Sequence, residues 1–120
     1  MVSARVIVAL GSNWLPSAHI QWATFRLLSL LSDFQCSRTI WTKDIHGRDV
    51  YYLNRLVAGT IDSNISASEL IQRLKAIEAE THRDKQHVTI DLDLMLYNSQ
   101  RFHEQDWPQP YIQQLINDIL

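Results

Sequence analysis

The sequence predicts an α+β fold of the ferredoxin-like kind, ordered β-α-β-β-α-β, with one antiparallel sheet, both main helices on one face and a short C-terminal helix. Three observations predict it. Four short apolar runs have the length of strands. Two amphipathic stretches with helical spacing each separate a pair of these runs, and the second and third runs are joined only by a polar loop, as in a hairpin.

Taken in order, residues 6–10 (Val-Ile-Val-Ala-Leu) are apolar throughout, as a central strand should be, and Gly11-Ser12-Asn13 closes the run as a tight turn. After Pro16, the residues Ile20, Ala23, Leu27, Leu28 and Leu31 recur at helical spacing and predict an amphipathic helix over about 17–33. A second strand, 34–41, follows directly. Residues 42–51 contain Lys43, Asp44, His46, Gly47, Arg48 and Asp49, and read as an exposed loop. The third strand, 52–61, sets Tyr52, Asn54 and Leu56 on one face and Leu53, Arg55 and Val57 on the other.

Ser66-Ala67-Ser68-Glu69 has the form of a capping box, in which the Ser hydroxyl bonds the backbone three residues on and the Glu reaches back. The helix it starts runs to about residue 81, with Leu70, Leu74 and Ile77 inward. The fourth strand is 89–97. Trp107-Pro108-Gln109-Pro110 then breaks the chain, and Ile112, Leu115, Ile116 and Ile119 resume helical spacing. That last apolar stripe either covers the body of the domain or meets a second copy of the chain as a homodimer. With both main helices on one sheet face, the other face is left partly open, and polar residues on it are candidates for a ligand site.

A chain of 120 residues with 46% apolar content fits one soluble domain, 1–120, with a core over about 5–98 and a C-terminal extension over 99–120. A formal net charge of −2 argues against nucleic acid as a partner, so any anionic ligand must be gripped locally. Cys36 is the sole cysteine, which excludes an intrachain disulfide and a cysteine zinc site and fits a reducing cytoplasm. The first apolar run is too short for a signal peptide or a membrane span, so no membrane partner is expected.

The richest stretch is Thr89-Ile90-Asp91-Leu92-Asp93-Leu94-Met95-Leu96-Tyr97. On a strand, residues i and i+2 share a face, so Asp91 and Asp93 project together while Ile90, Leu92, Leu94 and Leu96 line the other side. Paired carboxylates repel, and a cation, a basic partner or shared protonation must offset the cost. Magnesium is the usual choice for oxygen-only ligands, and it commonly brings phosphates with it. A solvated acidic strand face is the plain alternative.

Glu78 sits at the edge of the buried helical stripe and is either an ordinary surface glutamate or a carboxylate at the mouth of the sheet. Between it and Asp91, Thr81-His82-Arg83-Asp84-Lys85-Gln86-His87-Val88 offers four groups able to carry positive charge. Beside a metal–phosphate site, Arg83 and Lys85 would clamp phosphate oxygens. His82 and His87 lack the partner spacing of a zinc site. Tyr52 and Asn54, on one strand face, suit a flat heterocycle with an amide-like edge, although a strand tyrosine is as often simple packing.

In order along the chain, Ala9-Leu10-Gly11-Ser12-Asn13, Tyr52-Leu53-Asn54, Ile77-Glu78 and the Thr89–Tyr97 run resemble the hydroxymethyl-dihydropterin pyrophosphokinase family of folate biosynthesis, over about the first hundred residues. The resemblance implies a ferredoxin-like core and a transferase that moves the terminal pyrophosphoryl group of ATP to the hydroxymethyl oxygen of a reduced pterin, releasing AMP. It implies two magnesium ions held by Asp91 and Asp93, with Arg83 beside them as a catalytic charge. Asn54 would bond the pterin edge, Tyr52 would stack on the ring, and Thr42 would open the loop that supplies backbone contacts. Glu78, Lys85, Lys75 and Ile71 would lie at the nucleotide.

The departures carry an expectation of their own. The segment between the glutamate and the paired acids is several residues shorter than in the family, the arginine expected before the Thr-Ile-Asp-Leu-Asp run is Val88, and Pro-His-Pro appears as Pro108-Gln109-Pro110. A further arginine and a stacking aromatic fall near Leu115 and Asn117, and the chain ends before the family's usual end. Each preorganised donor lost at a triphosphate removes about 2.7–4 kcal/mol of transition-state stabilisation, so lowered activity is expected. Two readings stand: a slowed pterin pyrophosphokinase, or a non-catalytic relative that binds nucleotide or pterin or serves as an interaction module.

Overall fold

In the computed structural model, residues 2–44, 49–84 and 86–120 are described. Their order is β1 (Ser3–Ser12), α1 (Pro16–Leu28), β2 (Ser32–Cys36), β3 (Ile40–Lys43), β4 (Tyr51–Asp62), α2 (Ala67–Ala79), β5 (Asp91–Tyr97), β6 (Gln100–Arg101), a single 3₁₀ turn (Glu104–Asp106) and α3 (Pro110–Ile119). The strands form one antiparallel sheet in the order β2-β4-β1-β5-β6, with β3 also paired to β4.

Alternation along β1 and β4 divides the apolar residues between two faces. Ala4, Val6, Val8 and Leu10 of β1 and Leu53, Val57 and Ile61 of β4 pack with Ile20, Ala23 and Leu27 of α1 and Leu70, Leu74 and Ile77 of α2. Both main helices therefore cover one face. Ile7, Leu56 and Ala58 point the other way and meet Ile112, Leu115 and Ile119 of α3 together with Trp107. The stripe of the C-terminal helix is thus covered within the chain, on the sheet face opposite the two main helices.

Four sequence expectations need correction. The first helix ends at Leu28, not near Asp33: Leu30 and Leu31 donate to the Leu27 carbonyl at 3.0 and 2.9 Å, and the chain turns at once into β2. Asp33 has φ 49°, and the β2–β4 register shifts between Ser32 and Gln35, so the strand begins with an irregularity. Second, the strand expected over 34–41 is broken into β2 and β3. Buried Ser37 sits at the break, its hydroxyl accepting from the Leu56 amide at 2.9 Å and its carbonyl accepting from Arg55 Nε at 2.9 Å. A side chain replaces one ladder acceptor there, while the Ser37 amide still donates to the Leu56 carbonyl at 2.9 Å. Third, Thr42 and Lys43 belong to β3, and Tyr51 to β4, rather than to a loop; residues 45–48 of that loop lie outside the described residues.

The fourth concerns β5. Val8 pairs with Leu94 but Ile7 pairs with Leu96, so Met95 is an extra residue in the strand. Such a bulge reverses the alternation beyond it. Leu92 and Leu94 face α1 and α2, whereas Leu96 packs with Met95 in the α3 cluster, on the opposite side from that expected. The two acids precede the bulge and keep their register.

Elsewhere the local rules hold. Ser66 caps α2, its hydroxyl accepting from the Glu69 amide at 3.1 Å. Ser66→Ala should lower stability by about 1 kcal/mol, the usual value of an N-cap, as read by urea denaturation. A loss under a few tenths would show that α2 is held by packing alone. Gly59 permits a close approach, since a Cβ there would lie 2.9 Å from the Ser32 carbonyl oxygen and 3.0 Å from Leu31 Cβ.

Candidate active site

Asp91 and Asp93 stand at the start of β5, where their partners across the β1 ladder are Gly11 and Ala9. The small neighbours leave room around both acids. A Cβ added to Gly11 would meet Asn54 Oδ1 at 3.6 Å, so β1, β4 and β5 bring the acids and Asn54 to one floor. Asp91 and Asp93 line two cavities at once, one on each side of them.

The larger cavity, of about 600 Å³, lies between the sheet and α3. Thr42 and Lys43 of β3, Tyr52 and Asn54 of β4, and Gln109 and Tyr111 at the start of α3 are among its lining residues. Asn54 is buried, and its Nδ2 donates to Thr42 Oγ1 at 2.8 Å, to the Ile40 carbonyl at 3.1 Å and to the Tyr52 carbonyl at 3.2 Å. Those bonds tie β3 to β4 and fix the amide so that Oδ1 faces Gly11. Among the described residues, Oδ1 has no hydrogen-bond donor, which leaves an acceptor for a ligand's N–H edge.

The second cavity, of about 480 Å³, is polar and is lined by Lys75, Glu78, Ala79, His82 and Arg83 with the two acids. Lys75, Glu78 and Ala79 come from one side of the end of α2, because residues three and four apart share a helix face, and His82 follows in the turn beyond the helix, with φ 52°. Arg83 forms an ion pair with Asp91. Glu78 Oε2 accepts from the Leu92 amide at 2.6 Å, so the helix carboxylate pins the strand between the two acids. His103 approaches from the other end, its Nε2 3.8 Å from Asp93 Oδ1.

The carboxylates bear the cost of this crowding. Burial raises the pKa of Asp93 above the usual carboxylate range; His103 works against the shift, while Asp91 and Asp106 add to it. Burial likewise raises Glu78, opposed by the Leu92 amide and reinforced by Asp91 and Asp93. Tyr111 is raised by burial and by Asp106 and Asp93. Among the described residues, Glu78, Asp91, Asp93 and Asp106 crowd one another here, an environment that suits an added cation.

The paired acids, Arg83, Glu78 and Lys75 thus meet at one cleft, and Thr42, Tyr52 and Asn54 meet in the adjoining cavity. Ile71 packs against the core of the helical face and is not among the cleft residues. Lys85 lies outside the described residues. Sequence reasoning named His82 only as a cationic group without a site role, and it missed His103 and, in the tail, Tyr111 and Asp106. Only Tyr111 had a sequence signal, since it follows the proline pair that aims α3. His103 reaches Asp93 through a turn with φ 53° at the residue itself, which no motif announces.

An expected result follows for Glu78. Glu78→Ala leaves the half-buried Leu92 amide without its acceptor and should lower stability by about 1–3 kcal/mol, whereas Glu78→Gln keeps an acceptor and should lose less. Because the folded pKa of Glu78 is raised, the folded state binds the proton more tightly than the unfolded one. Its contribution to stability therefore falls as pH rises from the ordinary carboxylate value through the raised one. Thermal denaturation of Glu78→Gln from pH 4 to 7 should show that part of the slope removed; an unaltered slope would contradict the assignment.

No cluster of three or more His, Cys, Asp or Glu able to hold a metal occurs among the described residues. Two carboxylates fit magnesium nonetheless, since that ion is commonly held by one or two carboxylates and completed by waters and substrate phosphates. No helix among the described residues is long and apolar enough to cross a membrane.

No curated protein matches the chain closely enough to serve as a relative. A family model does match, over residues 7–117, a span that takes in the paired acids, both cavities and the start of α3. The chain therefore belongs to the 7,8-dihydro-6-hydroxymethylpterin-pyrophosphokinase family, whose members are transferases of folate biosynthesis.

Proposed function

We propose that this chain transfers the terminal pyrophosphoryl group of ATP to the hydroxymethyl oxygen of a reduced pterin and releases AMP, at a rate lowered by its departures from the family. The observation that carries the reading is the position of Asp91 and Asp93, which line both an aromatic-walled cavity and a polar cleft. A reaction that joins two substrates needs such a shared wall.

In this reading the larger cavity takes the pterin. Tyr52 stacks on the ring, Asn54 Oδ1 accepts from its N–H edge, and Thr42, already bonded to Asn54, fixes the β3 side. The polar cleft takes ATP, with Lys75, Arg83 and the neighbouring Lys85 on the phosphates and Glu78 holding the floor through Leu92. The hydroxymethyl oxygen attacks the β-phosphorus, the bond to the α–β bridging oxygen breaks, AMP leaves with that oxygen, and the hydroxyl proton passes to solvent. Two bound magnesium ions would neutralise charge on the phosphates. Asp91 and Asp93 would hold and orient them, and Arg83 would exchange its contact with Asp91 for a phosphate oxygen.

The finer fold follows the same family. If β2 and β3 are counted as two halves of one interrupted strand, the sheet order becomes that of the ferredoxin-like arrangement. A cytoplasmic location rests on Cys36 as the sole cysteine. One observation favours the rival reading, a non-catalytic nucleotide or pterin binder: neutral Gln109 lines the cavity and neutral Val88 leads into β5, where positive donors are expected.

The test is incubation with ATP, magnesium and the hydroxymethyl-dihydropterin while AMP is followed. Turnover that disappears with Asp91→Ala supports the enzyme. No AMP above background at high protein concentration, with magnesium-dependent binding of a non-hydrolysable ATP analogue, would identify the non-catalytic relative. Val88→Arg combined with Gln109→His should raise the rate about tenfold or more if those losses limit it.

A further inference from the structure

The segment between α2 and β5 is tied down from outside the site, by the turn that follows β1. The Asn13 amide donates to the Val88 carbonyl at 2.9 Å, and the Val88 amide donates to Asn13 Oδ1 at 2.7 Å. Asn13 Nδ2 is buried with no hydrogen-bond partner among the described residues, so the side chain accepts an unfavourable position to keep Oδ1 on Val88. One residue further in each direction, the Trp14 ring stacks on His87, with centroids 4.0 Å apart and planes tilted by 44°. His87 Nδ1 lies 3.0 Å from Asp84 Oδ2, and Asp84 Oδ1 accepts from the Gln86 and His87 amides, both at 2.8 Å. Asp84 is held below the usual carboxylate range by the His87 side chain and these amides, as a group in a closed local network should be. The residue before this network is Arg83, whose guanidinium meets Asp91.

We propose that Trp14 is a positioning residue for the polar cleft: its stacking on His87 latches the segment after α2 so that Arg83 is presented to Asp91 and to nucleotide phosphates. Trp14 lines neither cavity, so its route to the cleft runs through His87 and Asp84. The ring is 43% exposed, and the contact with His87 gives it a structural partner. The latch supplies preorganisation: it holds the short segment so that Arg83 need not be ordered when nucleotide binds. Its link to nucleotide rests on the pyrophosphokinase reading; the latch itself does not.

The experiment uses Trp14→Ala, with Trp14→Phe as the conservative rescue. In ligand-free protein, the amides of Gln86, His87 and Val88 should exchange about tenfold faster in Trp14→Ala, those of β1 and β4 should be unchanged, and Trp14→Phe should restore protection. Magnesium-dependent binding of a non-hydrolysable ATP analogue should weaken about five- to tenfold in Trp14→Ala and recover in Trp14→Phe. In a double-variant cycle, Trp14→Ala should add almost nothing once Arg83→Ala is present. Unchanged exchange at those three amides, exchange raised equally across the sheet, or fully additive losses with Arg83→Ala would each overturn the proposal. If the wild type binds no analogue, the pyrophosphokinase reading fails, and the exchange pattern alone decides the latch.

Discussion

Asp93→Asn should reduce AMP formation by at least a hundredfold while leaving the ligand-free protein as stable as the wild type or more so. The carboxylate and the amide have nearly the same shape, so packing is preserved and the change is one of charge. Loss of one preorganised charge at a developing phosphoryl transition state is worth about 2.7–4 kcal/mol, or about 10²- to 10³-fold in rate. The stability effect has the opposite sign because burial and the carboxylates of Asp91 and Asp106 already penalise ionised Asp93. With the folded pKa raised, the folded state binds more protons than the unfolded state between the ordinary value and the raised one, and stability falls as pH rises through that window. The amide removes this slope. Sites that trade stability for charge behave in this way. The decisive pair of measurements is the AMP rate and the thermal midpoint without metal: a rate within tenfold of wild type would remove Asp93 from the metal site, and a clearly lowered midpoint would show that its charge was stabilising after all.

Magnesium should act in the complementary direction. A ligand that binds only the folded state at a hundred times its dissociation constant adds about 2.7 kcal/mol. Magnesium with an ATP analogue should therefore raise the thermal midpoint of the wild type and have little effect on Asp93→Asn.

The second large effect is structural, and it concerns the tail. Leu115→Ala should destabilise the protein by about 2–5 kcal/mol, the range for deleting most of a buried leucine side chain and leaving a cavity. Leu115 is fully buried between α3 and the sheet, among Ile7, Leu56 and Met95. The same residue lines the larger cavity, so, on the proposed placement of the pterin there, the surviving folded fraction should also bind pterin more weakly. Exposed Asn117→Ala, on the outer side of α3, should change stability by no more than about 0.5 kcal/mol and serves as the control. A cost for Leu115→Ala below about 1 kcal/mol would mean that α3 is not part of the cooperative unit, and that the cavity wall it forms is not a fixed one.

Much of the fold was legible because burial imposes a period on the sequence. Alternation in 52–61 placed Tyr52 and Asn54 on one face, helical spacing found α1, α2 and α3, and Ser66 marked the start of α2 at the residue where its cap is seen. What escaped was governed by single contacts that periodicity does not encode. Ser37 breaks the edge strand by substituting its hydroxyl for a ladder bond, and the extra Met95 in β5 moves Leu96 to the α3 side.

The site divides in the same way. That Asp91 and Asp93 share a face follows from the period of a strand, and the ordered motifs point to the family. That the acids form the wall between two cavities depends on long-range packing. That arrangement depends on Gly11 and Ala9 lying opposite them on β1, on Glu78 reaching the Leu92 amide from α2, and on α3 closing the far side with Tyr111 and Gln109. Each of these partners is distant from the acids in sequence. Their convergence follows from which strand pairs with which, a choice made by the packing of the whole core rather than by any local run of residues.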